Sequence, residues 1–437
     1  MQLAYPVMLG QLGHVLVGFA DNIMVGELGA APLAAVSLAN SVAFIAFSIG
    51  IGFTLAITPL VAEADGEKNT KKGKAYFQHG IWMSLVLGLL LCLVLFLLKP
   101  LMSHLHQPTD VLVYALPYFD IIAFSMVPLL VFQAYKQFAD GMSQTKYAMR
   151  AAIIANLINV ALNYVLIYGK FGFPRLELVG AGIGTFISRV AMLVFIIYTV
   201  HNKAVFAPFV SRIRASNIKK EIVKKVYFLG YPSAMQLFFE IGIFGTAILL
   251  SGALGTLAQA ANQIALNLAT MTFMIAVGLG VTATIRVGNQ KGLRNYKELK
   301  RIGFSVFLLM TLIDIFFAAG FILFKDILPY AYIDDLEVIR MAASLLVVGG
   351  LFQISDGAQV VLIGALRGMQ DVKRPMGITF VAYWLVGFPV CYYLGLKTDL
   401  GALGIWIGLL VGLTVSAIML YLRFEKLSNN LIEKNQK

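Results

Sequence analysis

Charge is the first thing this sequence lacks. Only 13% of its 437 residues are charged and 59% are apolar, whereas a soluble protein carries roughly 25% charged and about 45–50% apolar residues. That balance excludes a soluble enzyme and a disordered chain. Cysteine is almost missing too: Cys92 and Cys391 are the only two, far apart and each in an apolar run. Neither a disulfide framework nor a cysteine metal site is therefore expected, and buried thiols are. Histidine numbers five, and His104 and His106, flanking Leu105, read as a solvated outer loop rather than a metal site. The period-2 alternation of a transmembrane barrel is absent. No HExxH or GxSxG occurs, and the stretch GEKNTKKGK from Gly66 to Lys74 spaces its glycines too widely for a phosphate loop. An enzyme or a nucleotide hydrolase is thus not expected, no cofactor is implied, and any pumping must draw on an ion gradient. The N-terminus lacks a basic region and a small-residue cleavage site, so no removable signal peptide is expected.

What is present is long apolar runs. They fall near 3–25, 33–60, 75–98, 111–135, 147–169, 179–200, 227–251, 257–285, 301–324, 341–365, 375–396 and 401–422. About 20 residues suffice to cross a bilayer, so these are twelve transmembrane helices. The fold class expected is all-α integral membrane. Loops and span ends after the even-numbered spans, with the C-terminal tail, hold 27 Lys and Arg; those after odd-numbered spans hold 6. Basic loops stay in the cytoplasm, which puts both termini there. The net charge of +12 then reflects topogenic loops, and no nucleic-acid partner is expected. The basic stretch from Lys203 to Lys225 becomes a cytoplasmic connector.

The chain also repeats itself. Tyr5-Pro6 recurs as Tyr231-Pro232, and positions 5 to 69 share 16 identities in 65 with the stretch 226 residues later. Gly26, Gly29, Gly52, Thr58, Gly66 and Asn69 all recur. Gly141-Met142 and Lys146 return as Gly368-Met369 and Lys373. Two units of six spans each share one orientation, as pseudo-twofold-related halves do, and carriers of this build expose substrate alternately to the two faces. The expected boundaries are an N-lobe over 1–200, a connector over 201–226, a C-lobe over 227–422 and a tail over 423–437.

Ionisable side chains are costly inside a bilayer and mark function. Asp21 lies in span 1, Glu240 in span 7 and Asp356 in span 10. Asn156, Asn159 and Asn163 share one face of span 5, and Thr185 adds a hydroxyl from span 6. With Asp21 they offer one carboxylate and several neutral oxygens, a donor set suited to protons and hard monovalent cations; the blander reading is helix–helix hydrogen bonding. Gln259, Gln263, Asn267 and Thr270 run down one face of span 8. Gln236 stands one turn from Glu240, and Gln353 one turn from Asp356. Gln236, Gln263, Asn267 and Gln353 are candidate lining for a substrate cavity. His14 holds the repeat position of Glu240. Asp120 is near the outer end of span 4, Asp314 on span 9 has no evident partner, and Arg189 in span 6 is expected to pair with an interior acid.

These residues carry a resemblance. The segments AYPVMLGQLGHVLVGFADNIMVG, FADGMSQTKYAM, NLINVALNYVLIYGKFG and FQISDGAQVVLIGALRGMQDVKRP resemble multidrug and toxic compound extrusion (MATE) transporters of the NorM type, over essentially the whole chain. The resemblance implies two six-helix bundles and export of lipophilic, cationic compounds in exchange for Na+ or H+. It implies cation-coupling roles for Asp21, Asn159, Asn163, Thr185, Glu240 and Asp356. This chain departs from the pattern at Phe352, where many relatives have tyrosine, and at Asn163, which is an acid in some. The expectation is a monomeric secondary antiporter of the cell (inner) membrane whose partners are lipid and organic cations. The rival, a flippase for lipid-linked saccharides on a related fold, calls for basic residues within the spans, where Arg189 stands almost alone.

Overall fold

A computed structural model describes residues 2–103, 108–210 and 218–436. The histidine pair at 104 and 106 and part of the basic connector lie outside these residues. Among the described residues the chain is helical, with no strand. Twelve segments among the described residues are long and apolar enough to cross a membrane, matching the twelve expected runs.

The chain divides into two compact units, Tyr5–Ala234 and Met235–Lys437, the residues up to Ala4 grouping with the second. The first holds α1 (Ala4–Gly26), α2 (Ala30–Thr54), α3 (Ile57–Gly66), α4 (Thr70–Ser103), α5 (Thr109–Phe124), α6 (Met126–Gly141), α7 (Thr145–Tyr168) and α8 (Glu177–Asn202). Helix α9 (Lys220–Ala253) runs from the first unit into the second, which continues with α10 (Thr256–Gly292), α11 (Tyr296–Leu323), α12 (Leu336–Gly368), α13 (Lys373–Phe380), α14 (Phe388–Leu396) and α15 (Gly401–Gln436). Two expected boundaries differ. Residues 227–234 group with the first unit, because Gly230 packs on the Phe53 ring and Gly52 on the Ala234 backbone. The residues expected as a tail after 422 continue α15 as helix.

Prolines set the interruptions within spans. Pro59 cannot donate to the carbonyl of Leu55, and span 2 breaks there between α2 and α3. Pro128 likewise leaves the Phe124 carbonyl without its donor, and span 4 breaks at Ser125. In span 11, Pro389 cannot donate to Leu385, and the ladder slips into a π-helical stretch, Val381–Gly387, between α13 and α14.

The repeat is physical. Gly29 before α2 has φ +119° and Gly255 before α10 has φ +111°, both in the region that favours glycine. Asn69 accepts from the Lys72 amide at 3.0 Å, and Asn295 from the Glu298 amide at 3.2 Å, so the same residue caps α4 and α11. The Thr58 hydroxyl reaches Gln137, at 2.6 Å from its side-chain Oε1 and 3.1 Å from its carbonyl, and Thr284 donates to the Gly364 carbonyl at 2.9 Å. A Cβ at Gly141 would press on the Thr58 carbonyl at 2.9 Å, and one at Gly368 on the Thr284 carbonyl at 2.8 Å. Each glycine lets two helices meet closely at the same place in its own unit.

The first unit's core stacks Phe77 on Phe138 at 3.9 Å, with Phe206 and Phe209 beside them. The second is centred on Trp406, Tyr383 and Phe352, all nearly fully buried. Both cysteines are free and buried, as expected.

Candidate functional site

In the first unit the site is built from α1, α7 and α8. Gly10 and Gly13 let α1 approach α7; a Cβ at Gly13 would stand 2.9 Å from Asn156 Nδ2. Asn163 Nδ2 donates to Asp21 Oδ1 at 2.7 Å and more weakly to Asn159 Oδ1 at 3.4 Å. Asn159 Nδ2 in turn reaches Thr185 Oγ1 at 3.4 Å. The structure thus brings Asp21, Asn163, Asn159 and Thr185 into one chain of polar groups. Gly184 makes room for it, since a Cβ there would collide with Asn163 Oδ1. That oxygen is buried and has no protein donor, so it is free to accept from, or coordinate, a guest.

Among the described residues Arg189 makes no salt bridge with an acid. Its Nη1 donates to Ser125 Oγ at 2.5 Å, and its guanidinium sits 4.7 Å from the Phe47 ring centroid. The break at Ser125 explains this: the hydroxyl donates to the Ile122 carbonyl at 2.6 Å and keeps an acceptor lone pair for Arg189. The guanidinium remains within electrostatic reach of Asp21 and of the Tyr118 hydroxyl. His14 is exposed on α1. Asp120 forms an ion pair with Lys99 at 2.7 Å.

In the second unit the acids come from α9, α11 and α12. Glu240 is partly buried and Asp356 is buried. They lie within electrostatic reach of each other. Asp356 Oδ1 and both amide atoms of Gln353 are buried without a protein partner. Gln359, one turn further along α12, is 0% exposed, and its amide lies against the Tyr383 hydroxyl. Buried polar atoms are nearly always satisfied, so a cluster of orphans marks a place for water, an ion or a ligand. Gln236 is buried one turn from Glu240. Gln263 donates to Asn267 at 3.2 Å on a more exposed face of α10, where Gln259 and Thr270 also lie. It is Asn262 that turns into the core, accepting from Trp406 Nε1 at 2.9 Å.

Two groups in this unit, Arg367 and Tyr383, escaped the sequence reading, and a third, Asp314, was named there only as lacking a partner. Asp314 is 2% exposed on α11, and its Oδ2 has no partner. It lies against Gly357, the residue after Asp356, where a Cβ would collide with it. Arg367, counted from sequence among the loop charges, belongs to the last turn of α12. Its Nε is buried, and its charge reaches Glu240. Tyr383, in the π-helical stretch, has a buried hydroxyl in electrostatic reach of Glu240 and Asp356. A phenol therefore stands near the acids although Phe352 lacks one; Phe352 instead packs against Trp406 at 5.4 Å. The one sequence signal for Tyr383 was Pro389, six residues on, which foretells a disturbed helix.

A duplicated six-span unit with a carboxylate inside the spans of each half, satisfied in the first and partly unsatisfied in the second, defines a polytopic membrane carrier. The MatE family model matches the chain twice, over residues 6–165 and 232–393, and the chain belongs to that family. The two matches begin 226 residues apart, the offset of the internal repeat. The chain is 34% identical over 439 residues to the multidrug resistance protein MdtK of Yersinia pseudotuberculosis, covering 97% of this chain and 94% of that one. It is 32% identical over 441 residues to the multidrug resistance protein NorM of Photobacterium profundum, with coverage of 97% and 94%. A crystal structure of MATE in the bent conformation superposes with TM-score 0.91 at 21% identity, covering 100% of this chain and 96% of that one, a likeness of fold alone.

Proposed function

We propose that the protein is a secondary active antiporter that exports lipophilic organic cations in exchange for Na+ or H+. The observation that carries this reading is the buried acid site of the second unit, where Asp356 Oδ1 and both amide atoms of Gln353 find no partner in the protein. A carboxylate in such surroundings needs a positive charge, from a small cation or from cargo. The two compete for the same charge, and each must favour one face of the membrane differently for exchange to follow. Asp21, Asn159, Asn163 and Thr185 offer a second, less charged set of oxygens. Gln236, Gln263, Asn267 and Gln353 serve as polar lining for cargo. The names of the curated relatives, multidrug resistance proteins, support the choice of cargo.

The protein works as a monomer in the cell (inner) membrane with both termini in the cytoplasm. It carries no cofactor, performs no covalent chemistry and binds no nucleic acid. The flippase alternative gains a little from Arg367, a second guanidinium with a buried atom. It is still disfavoured, because Asp21, Glu240, Asp314 and Asp356 outnumber the two arginines.

Inverted membrane vesicles test the reading. An imposed Na+ or H+ gradient drives ethidium uptake if it is right, and fails to if it is wrong. Replacing Na+ by choline at fixed pH separates the coupling ions.

A further inference from the structure

One strip of α4, which no step of the exchange uses, holds the connector at both of its described ends. Phe206 and Phe209, near the connector's start, are buried, and the Phe209 ring fills the space a Cβ on Gly73 would need. One turn along α4, the Tyr76 hydroxyl accepts from Lys225 Nζ of α9 at 3.0 Å; that ammonium is 5.3 Å from the phenol centroid and 3.8 Å from Glu63 of α3. One turn further, His79 is 4% exposed, and the backbone N–H of Lys219, the residue before α9, reaches its Nε2 at 2.8 Å. Gly73, Tyr76 and His79 follow at three-residue steps, so each neighbours the next on the helix surface. At the repeat offset stand Leu299, Ile302 and Ser305. The strip is therefore no part of the duplicated scaffold; it serves the connector, which occurs once.

The partners of the imidazole fix where its proton sits. A backbone N–H only donates, so His79 Nε2 is the acceptor and carries no hydrogen. Nδ1, 2.7 Å from the Ala75 carbonyl, carries the hydrogen and donates it. The ring is thus neutral, with both nitrogens engaged. A further proton can go only to Nε2, where it would point at the Lys219 N–H. The bond to Ala75 survives that event and the bond to Lys219 does not. The new charge also arrives beside a basic segment, Lys219, Lys220, Lys224 and Lys225. The other charges on this corner of α3 and α4 are Glu63 and Glu67, bridged by Lys72 at 3.3 Å and 2.7 Å. Carboxylates and ammoniums ordinarily keep their charge between about pH 5 and 8, where histidine changes its own.

We propose that His79 is an acid-released latch: as the neutral imidazole it fastens the start of α9 to α4, and on protonation it lets that start go. The latch is closed at neutral and higher pH and opens as pH falls. What it controls is the footing of α9, the helix that runs from the first unit into the second. The inference is independent of the cargo and of the coupling ion.

Hydrogen–deuterium exchange of the amides from Lys219 to Val223, in the full-length protein in detergent and corrected for the intrinsic pH dependence of exchange, reads the latch. The wild type is expected to be protected at pH 8 and to exchange on the order of tenfold faster at pH 5, the equivalent of one lost hydrogen bond. His79→Gln, which offers an acceptor oxygen but does not titrate, is expected to stay protected at both. His79→Phe, which keeps a ring without an acceptor, is expected to exchange fast at both. Wild-type protection that is the same at pH 8 and pH 5 overturns the inference. So does a His79→Gln variant that loses protection in acid as the wild type does, or a His79→Phe variant as protected as the wild type at pH 8. If a variant does not fold, the wild-type comparison decides.

Discussion

The two units share a scaffold and differ in their chemistry. Thr58 and Thr284, Asn69 and Asn295, Gly141 and Gly368 make equivalent contacts, each within its own half. The acids do not follow that correspondence. At the repeat offset, Asp21 falls on Ala247 and Glu240 falls on His14. In the first unit the carboxylate is answered: Asn163 donates to it at 2.7 Å and Arg189 stands within electrostatic reach. In the second, Asp356 Oδ1 and Asp314 Oδ2 have no donor. Close helix packing is thus conserved between halves of one chain, while the charged sites were placed independently. The second unit is left as the more negative of the two and the more demanding of a cation.

Transport assays give the largest effect that can break this contrast. Glu240→Gln and Asp356→Asn are each expected to lower gradient-driven ethidium uptake by about tenfold or more while the protein still inserts, and Asp21→Asn by less. Equal losses in all three would erase the asymmetry, and unchanged uptake in Glu240→Gln and Asp356→Asn would remove those residues from the mechanism. Asn163→Leu comes next. It strips Asp21 of its amide donor and is expected to cost about 1–3 kcal/mol, seen as a lower melting temperature in detergent. No change there would mean that Asp21 is satisfied without Asn163.

Two paired comparisons probe the shared scaffold. Gly141→Ala and Gly368→Ala should each destabilise by about 1–3 kcal/mol through overpacking, and their melting temperatures should fall together. A drop in one alone would show that the repeat has diverged in packing. The smallest effect is expected for Thr58→Val and Thr284→Val, about 1 kcal/mol each for the lost interhelical hydrogen bond. Thermal unfolding of the two side by side is the measurement.

Much of this was legible in the sequence because it is local or periodic. Apolar run length gave all twelve spans, and shared Gly, Thr and Asn gave the repeat. The spacing of Asn159 and Asn163 placed them on one face of α7, where they meet Asp21. The groups that were missed depend on contacts between distant helices. On α11 itself Asp314 has Thr311 one turn back, but that hydroxyl donates to the Phe307 carbonyl at 3.0 Å; what Asp314 lies against is a missing side chain on α12. Arg367 was read as a loop residue because the apolar run fades near residue 365, whereas the helix continues to Gly368. Tyr383 reaches the acids by way of a winding defect that hydropathy does not register.

That defect has a consequence of its own. A π turn holds one residue more than an α turn, and each residue of α-helix advances about 100° around the axis. Deleting a single residue from Val381–Gly387 would let the stretch rewind as α-helix and leave α13 and α14 nearly in their present alignment, because the extra residue is what the wide turn absorbs. Only the stretch itself is re-aimed: the direction of the Tyr383 phenol is written in the length of the chain, as a count of residues, and a one-codon deletion would turn it aside without altering any side chain it touches.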